Sequence, residues 1–567
     1  MPRADEKVKR AKAGQQAKAR SPNVPGPPSP GTASSTATRP AHRAWAALAS
    51  PRGSPGILRP LEATLKYAAV ACACAYVVLY VFVAILRIRY PFDLEWIEGG
   101  MVEHVRRILA GQPLYVVPSL DFVAFIYPPL YYYVGAGLSL VMGVGLLPLR
   151  LISLVSSIGC FVLLFLFVKR ETEDAAAGIL AAGLYAATFR QSGAWFDLAR
   201  VDSLFLALLL AGFYLIRFGV SARAHVAAGL CLSLSFLTKQ TAAVMFLPVV
   251  LYAAAKNWRL GAPLLATLLL CAGGTIVALD VLHHGWFAYY VFQLPSQHRL
   301  LPDRWIGFWT QDILRPLWIA CALAVIALVR AARRDWASFM FLLLLAVGML
   351  GGSWMSRIKL GAYDNVLMPV HAGLALLFGM AAQVPARTQE PEVQRPKKPA
   401  RRGVAPAPGA GWNAMRLVGP SVVFLFSIVQ LALLLYDPAR QIPSRADEAA
   451  GFEVVAAIAQ IPGPVFVPAH GYLATLAGKR SYAHQAAVWD VYGGARNDAR
   501  HQLAQELGRA LREPAFSALV MDGVDVLEPH LIARNYIEVR SLFGTRDVFW
   551  PVAGMRTRPE IVYVPRR

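Results

Sequence analysis

Long apolar stretches separated by short polar breaks make up most of the chain. Segments at 65–86, 150–168, 176–194, 203–218, 225–238, 242–255, 261–282, 316–330, 336–352, 364–382 and 414–435 are apolar enough to cross a bilayer, which takes about 20 residues as a helix. The pattern predicts a polytopic α-helical membrane protein with about eleven spans. A further stretch, Tyr127 to Gly145, is also apolar, but it opens on Pro128-Pro129 and is rich in Gly and Tyr. That composition favours an interfacial or re-entrant helix. Topology agrees. With this stretch outside the count, Lys169/Arg170, Arg217/Arg223, Lys256/Arg259, Arg330/Arg333/Arg334 and the basic linker 383–412 share the side of the N-terminal tail. Cytoplasmic loops carry the excess of Lys and Arg, so this side is cytoplasmic. The exoplasmic side then receives a first loop (87–149), turns at Arg200–Asp202 and Lys239-Gln240, a long loop (283–315) and Ser353–Tyr363.

Two shorter patterns complete the layout. Met101, Val102, Val105, Ile108 and Leu109 recur on one face of a short amphipathic helix in the first loop, with Arg106 and Arg107 available for lipid headgroups. After the last apolar segment the membrane character ends. Val465–Val467, Ala518–Val520 and Ile561–Val564 read as short buried strands and 498–512 as a helix, giving a small exoplasmic α/β domain. The expected organisation is a tail (1–60), a membrane module (61–382), a linker (383–412), a last span (413–435) and a soluble domain (436–567).

Composition narrows the class. Of 567 residues, 56% are hydrophobic and 16% charged, against about one-quarter charged in soluble domains. The net charge of +22 does not point to nucleic acid. Residues 1–60 are basic, rich in Pro, Ser, Ala and Gly, and without periodicity. They read as a disordered tail whose partner is anionic lipid at the cytoplasmic surface. All six cysteines lie in apolar segments without CxxC spacing, which excludes a disulfide framework and a zinc knuckle.

Candidate chemistry concentrates at Tyr90-Pro91-Phe92-Asp93-Leu94-Glu95-Trp96-Ile97-Glu98-Gly99-Gly100, just past the first span. Three carboxylates among aromatic residues at a membrane surface are open to partial desolvation, which raises basicity and suits a general base. A solvated acidic patch is the plain alternative. Asp280, His283 and His284 follow i, i+3, i+4 spacing, a pattern able to hold a divalent metal, although polar capping of a helix end explains it as well. No other cofactor is implied. His470, His484 and Asp490 in the soluble domain have no recognisable nucleophile beside them and read as surface or core residues.

The order of motifs is recognisable. The acidic stretch, then Gly-Gln-Pro-Leu-Tyr (111–115), Tyr-Pro-Pro-Leu (127–130), Ala199-Arg200-Val201-Asp202-Ser203 and Leu237-Thr238-Lys239-Gln240 resembles the polytopic GT-C glycosyltransferases. Among them it is most similar to the bacterial protein-mannosyltransferase and aminoarabinose-transferase group, the dolichyl-phosphate-mannose-protein-mannosyltransferase-like proteins. The resemblance covers roughly 65–380. It implies an inverting transferase of the bacterial inner membrane that takes a monosaccharide from a polyprenyl-phosphate donor on the exoplasmic face and passes it to a glycan, a glycolipid or a protein. It implies Asp93 as the base, with Glu95 and Glu98 as alternatives, because the family's two adjacent acids are spaced apart here. Asp202 matches a second acid at a helix start. The leaving phosphate needs fixed cations, for which Arg200, Lys239, Arg299, Arg357 and Lys359 are candidates. Tyr127, Pro128, Gln240 and Tyr363 are the pocket candidates. Aminoarabinose transferases carry Glu-Lys-Pro where this chain has Tyr127-Pro128-Pro129, which argues against that sugar. Arg200 and Asp202 also fit a helix-end ion pair, and Lys239 fits a snorkelling side chain. A transporter of lipid-linked intermediates would place charges mid-span and show repeated halves, and a scaffold would show a site within 436–567. The sequence displays neither.

Overall fold

The computed structural model describes residues 55–383, 419–513, 515–522, 527–544 and 547–566. The basic tail through residue 54 and nearly all of the 383–412 linker lie outside the described residues. Helices run in the order α1 (Pro55–Arg87), α2 (Glu98–Leu109), α3 (Leu130–Met142), α4 (Leu146–Thr172), α5 (Ala175–Ala187), α6 (Asp202–Phe218), α7 (Ala222–Thr238) and α8 (Ala242–Lys256). There follow α9 (Trp258–Leu282), α10 (Asp303–Arg334), α11 (Trp336–Arg357) and α12 (Asp364–Ala381), then α13 (Pro420–Leu433) and α14 (Arg445–Ala459). Six of the described helices are long and apolar enough to cross a membrane, seven if the bent pair after Pro420 counts as one span, and four more are apolar but shorter. The chain is a multi-pass membrane protein, while the expected number of eleven spans is not reached by length and composition.

Small residues let these helices approach. Gly183 of α5 packs on Ala73 of α1, and Gly379 of α12 packs on Ala177 and Ala181 of α5. Close backbone contact of this kind drives association where lipid is as apolar as the protein. Polar caps fix the starts: the side chain of Asp174 accepts from Ala176 N–H, that of Ser221 from Ala224 N–H, and Ser444 with Asp447 forms a reciprocal capping box on α14.

Two expectations change. The segment expected at 176–194 stops being helical at Ala187, and residues 188–201 form a loop rather than a short turn. Much of the expected loop 283–315 is helical, since α10 begins at Asp303. The stretch from Tyr127 forms a thirteen-residue helix, α3, rising about 20 Å, short of a bilayer core.

The soluble domain holds β1 (Val465–Phe466), α15 (Gly471–Leu476), α16 (Gln485–Gly493), α17 (Asp498–Arg512), β2 (Ala518–Asp522), α18 (Pro529–Asn535), β3 (Tyr536–Ser541) and β4 (Pro559–Pro565). The sheet order is β1-β2-β4-β3, with β1 and β2 parallel and the other pairs antiparallel. Strand β3 escaped the sequence reading because five of its six residues are exposed, so it has no buried alternation to read.

The first loop and the soluble domain share a core. Phe92 packs with Val454, Ile458, Val465 and Val467, while Met101, Val102 and Val105 of α2 cluster with Tyr472, Ala487 and Val488. Gly99 and Gly100 make this docking close: a methyl group on Gly99 would strike Tyr472, and one on Gly100 would strike Phe125.

Candidate active site

The three carboxylate side chains of the acidic motif, Asp93, Glu95 and Glu98, are all buried, and each faces a different partner. A buried carboxylate needs a counter-charge or a proton, so the partners decide what each can do.

Glu98 is fully occupied. It accepts from Arg150 Nε at 3.0 Å and Nη2 at 2.6 Å, from Leu94 N–H at 2.7 Å and from Ala199 N–H at 2.6 Å. Arg150 also donates to the carbonyls of Tyr90 and Phe92. Burial alone would raise the Glu98 pKa, but the Arg150 charge and these four hydrogen bonds hold it below the ordinary carboxylate range. Together Glu98 and Arg150 tie α1's exit, α2, α4 and the 188–201 loop into one unit. Arg87 and Asp197, paired at 2.5 Å and buried, anchor the same loop to the end of α1.

Asp93 points to the soluble domain. His470, which opens α15, lies with Nδ1 3.6 Å from Asp93 and Nε2 3.3 Å from Asp522 at the end of β2. Burial raises the Asp93 pKa. Burial would lower that of His470, but Asp522 and Asp93 outweigh it and push it up to about 10. His470 is thus a buried residue, one of the two readings the sequence left open, with both ring nitrogens facing carboxylates.

Glu95 points the other way, to the membrane module. Its Oε2 accepts from Arg200 Nη1 at 2.6 Å and from Ile97 N–H at 3.2 Å. Its Oε1 is buried and has no hydrogen-bond partner among the described residues. Burial pushes its pKa up to about 7, against the opposing pull of Arg200. Arg200 also donates from Nη2 to the Tyr127 hydroxyl at 2.9 Å, and its guanidinium lies 5.3 Å from the Trp195 ring centre. Tyr363 stacks on Trp195 at 6.2 Å. Next to this group, Asp202 at the start of α6 takes Lys239 Nζ at 2.6 Å and Asn365 Nδ2 at 3.0 Å. Gln240 donates to the carbonyls of Ile126 and Val291, and Pro128 is buried at the entry to α3. Arg200 and Asp202 therefore do not pair with each other as a helix-end bridge, and Lys239 is buried rather than snorkelling.

The remaining candidate cations lie where the start of α10 and the segment before it meet the end of α11 and the residues after it. Lys359 Nζ donates to the Pro295 carbonyl, and Leu300 bridges Lys359 through the backbone. Arg357 pairs with Asp312 at 2.8 Å and Asp364 at 3.0 Å. Arg304 donates to the Ala362 carbonyl at 2.8 Å, and Arg299 is exposed. Asp280, His283 and His284 are not brought together. Asp280 accepts from Ala288 N–H and His283 Nδ1 contacts the Tyr115 carbonyl, and no group of three or more His, Cys, Asp or Glu among the described residues is placed to hold a metal.

Sequence reasoning missed Arg150, Asn365, His470 and Asp522. For Arg150 a signal existed: a lone arginine opening an apolar segment has to find an acid. The others carry no local pattern.

The chain is similar to known proteins in sequence over part of its length and in fold over most of it. Residues 127–286 match the family model for dolichyl-phosphate-mannose-protein mannosyltransferase. No curated protein matches the chain. Its fold is similar to that of ArnT from Cupriavidus metallidurans, in the apo state and bound to undecaprenyl phosphate. The TM-score is 0.52 and the identity 14% in both cases, over 87% and 86% of this chain and 98% of ArnT. The oligosaccharyltransferase AglB from Archaeoglobus fulgidus aligns at TM-score 0.46 and 13% identity, over 80% of this chain and 69% of that one. Residues 127–286 thus match the dolichyl-phosphate-mannose-protein mannosyltransferase model, and the chain shares the fold of ArnT over most of its length.

Proposed function

We propose that the protein is an inverting glycosyltransferase that moves a monosaccharide from a polyprenyl-phosphate donor to a hydroxyl of a glycan or glycolipid, on the exoplasmic face of a bacterial inner membrane. The base in this reading is Glu95. Asp93 faces His470 of the soluble domain through Oδ2, with its Oδ1 also unpartnered among the described residues, and Glu98 is held by Arg150 and two backbone amides. The observation that carries the assignment is the buried Glu95 carboxylate with one oxygen held by Arg200, one oxygen free, and a pKa near 7. A base works best when its pKa lies near the working pH.

The acceptor hydroxyl gives its proton to Glu95 Oε1 as its oxygen attacks the anomeric carbon. The bond from that carbon to the phosphate oxygen breaks on the opposite face, and the polyprenyl phosphate leaves with the electron pair. Arg200, held by Tyr127 and Trp195, fixes the carboxylate. The group of Arg299, Arg304, Arg357 and Lys359, around the start of α10 and the end of α11, supplies positive charge toward the phosphate, as fixed cations stabilise charge developing there. Lys239, Asp202 and Asn365 brace the wall behind Arg200. The undecaprenyl phosphate in the ArnT structure supports a lipid-phosphate carrier.

The test is turnover of polyprenyl-phosphate-linked sugars by the purified full chain and by Glu95→Gln. The reading expects a loss of about 10²- to 10⁴-fold, the usual span for removing a general base, with folding retained. Turnover by Glu95→Gln at the wild-type rate would remove Glu95 from the chemistry.

A further inference from the structure

The free oxygen of Glu95 is covered by the far end of the chain. Between β3 and β4, residues 549–558 run without regular structure across the acidic loop. Phe549 N–H donates to Asp447 at 2.7 Å, and the Phe549 ring meets Phe92 edge-on at 5.3 Å. Ala553 N–H donates to the carbonyl of Leu94, the residue before Glu95, at 3.0 Å. Ala553 is buried in the core of the membrane module and Val552 packs against it.

Gly554 then lies directly on Glu95. A β-carbon at that position would stand 2.7 Å from Glu95 Cγ and 2.9 Å from Oε1. Its φ of +72° is one that side-chain-bearing residues rarely adopt. Glycine is therefore required twice over, for the turn and for the approach. The oxygen it faces is the buried Oε1 that nothing else among the described residues engages.

We propose that residues 549–558 form the water-excluding cover of the active site, and that Gly554 is the positioning residue that seats it on Glu95. The proposal rests on Glu95 being the base. A transferase whose base is near neutrality has to keep water from serving as acceptor. A water at Oε1 would give up its proton there, attack the anomeric carbon and break the bond to phosphate, releasing free sugar. With the cover seated, only an acceptor able to displace residues 549–558 reaches Oε1, so selection of the acceptor over water lies in the soluble domain rather than in the membrane module.

The experiment reads exposure and not turnover. The full-length protein is treated with a water-soluble carbodiimide and an amine, and modification of each carboxylate is followed by peptide mass mapping. Gly554→Ala is expected to raise the rate at Glu95 at least tenfold while Glu98, locked by Arg150, stays unmodified. Gly478→Ala is the control. Gly478 has the same φ of +72° but open space around it, so it carries the backbone strain without the contact, and its Glu95 rate is expected to match wild type. Ala553→Pro, which removes the amide donated to Leu94, is expected to unmask Glu95 as Gly554→Ala does. Equal Glu95 rates in Gly554→Ala and Gly478→Ala would overturn the proposal. So would exposure of Glu98 together with Glu95 in both Gly554→Ala and Ala553→Pro, which would make the segment a structural pin. Failure of Glu95 as base appears separately, as wild-type turnover by Glu95→Gln.

Discussion

Asp93 and Glu95 are two residues apart, both buried, and both raised in pKa by that burial, yet they belong to different regions. In an extended stretch alternate side chains would share a face, but the loop here bends and turns them apart. Glu95 enters the membrane module and meets Arg200 and Tyr127. Asp93 enters the soluble domain and meets His470 and Asp522. The first cluster has a cation held from behind by aromatic rings and one carboxylate oxygen left free. In the second, an imidazolium stands between two carboxylates and holds two parts of the fold together. Burial alone does not make a catalytic acid. Among the described residues both keep one buried oxygen without a hydrogen-bond partner, Asp93 Oδ1 and Glu95 Oε1, so what separates the two is what surrounds them: Arg200 at 2.6 Å for Glu95, the imidazole of His470 at 3.6 Å for Asp93.

Several variants break or sharpen this contrast. The largest effect is expected from Glu95→Gln, given above. Next is Arg200→Ala. Arg200 draws the Glu95 pKa down, so its removal moves the acidic limb of the pH–rate profile, set by Glu95 near pH 7, to higher pH. The loss of a buried partner also destabilises the fold by about 3–5 kcal/mol. A pH–rate profile with an unmoved limb in this variant would separate Arg200 from Glu95.

His470→Gln acts on the other cluster. It leaves Asp93 and Asp522 buried without their cation, at a cost of about 2–4 kcal/mol in stability, read as a lowered Tm, while turnover of the folded fraction falls by less than about tenfold. The pH dependence has a definite sign. The folded pKa of His470, about 10, lies above its ordinary 6.5. Its contribution is therefore complete below about pH 6.5 and is lost as pH rises through about 10. Wild type should lose stability across that window, and His470→Gln should show a flatter curve there. The smallest effect is Asp93→Asn, expected to change turnover by no more than about threefold because its neighbour, not itself, faces the membrane module.

Much of this was legible in the residues. The apolar segments, the amphipathic helix after the acidic motif and the short strands of the last domain all carry periodicity, and the structure has helices or strands at each. The acidic motif was recognisable as the centre because three carboxylates at a membrane edge demand partners. Which acid faces which region was not legible, because it depends on a turn of the loop between Asp93 and Glu95 that leaves no periodic trace. Asp93 was the sequence's first candidate for the base, and the orientation of the loop is what leads us to propose Glu95 in its place. The partners from the soluble domain were hidden for a related reason. His470, Asp522 and Gly554 lie hundreds of residues from the motif they meet, and nothing near them in sequence marks the encounter. Arg150 could have been found from its isolation at the start of an apolar helix. Lys239 was read as a phosphate ligand or a snorkelling side chain; its burial against Asp202 rules out snorkelling, and that pairing arises only from the packing of α6 beside α7.

The most direct test is to measure transfer from a polyprenyl-phosphate-linked sugar by Glu95→Gln and Asp93→Asn side by side, each normalised to folded protein. The account predicts a collapse of turnover in Glu95→Gln and near-normal turnover in Asp93→Asn. The reverse order, Asp93→Asn inactive and Glu95→Gln active, would contradict it.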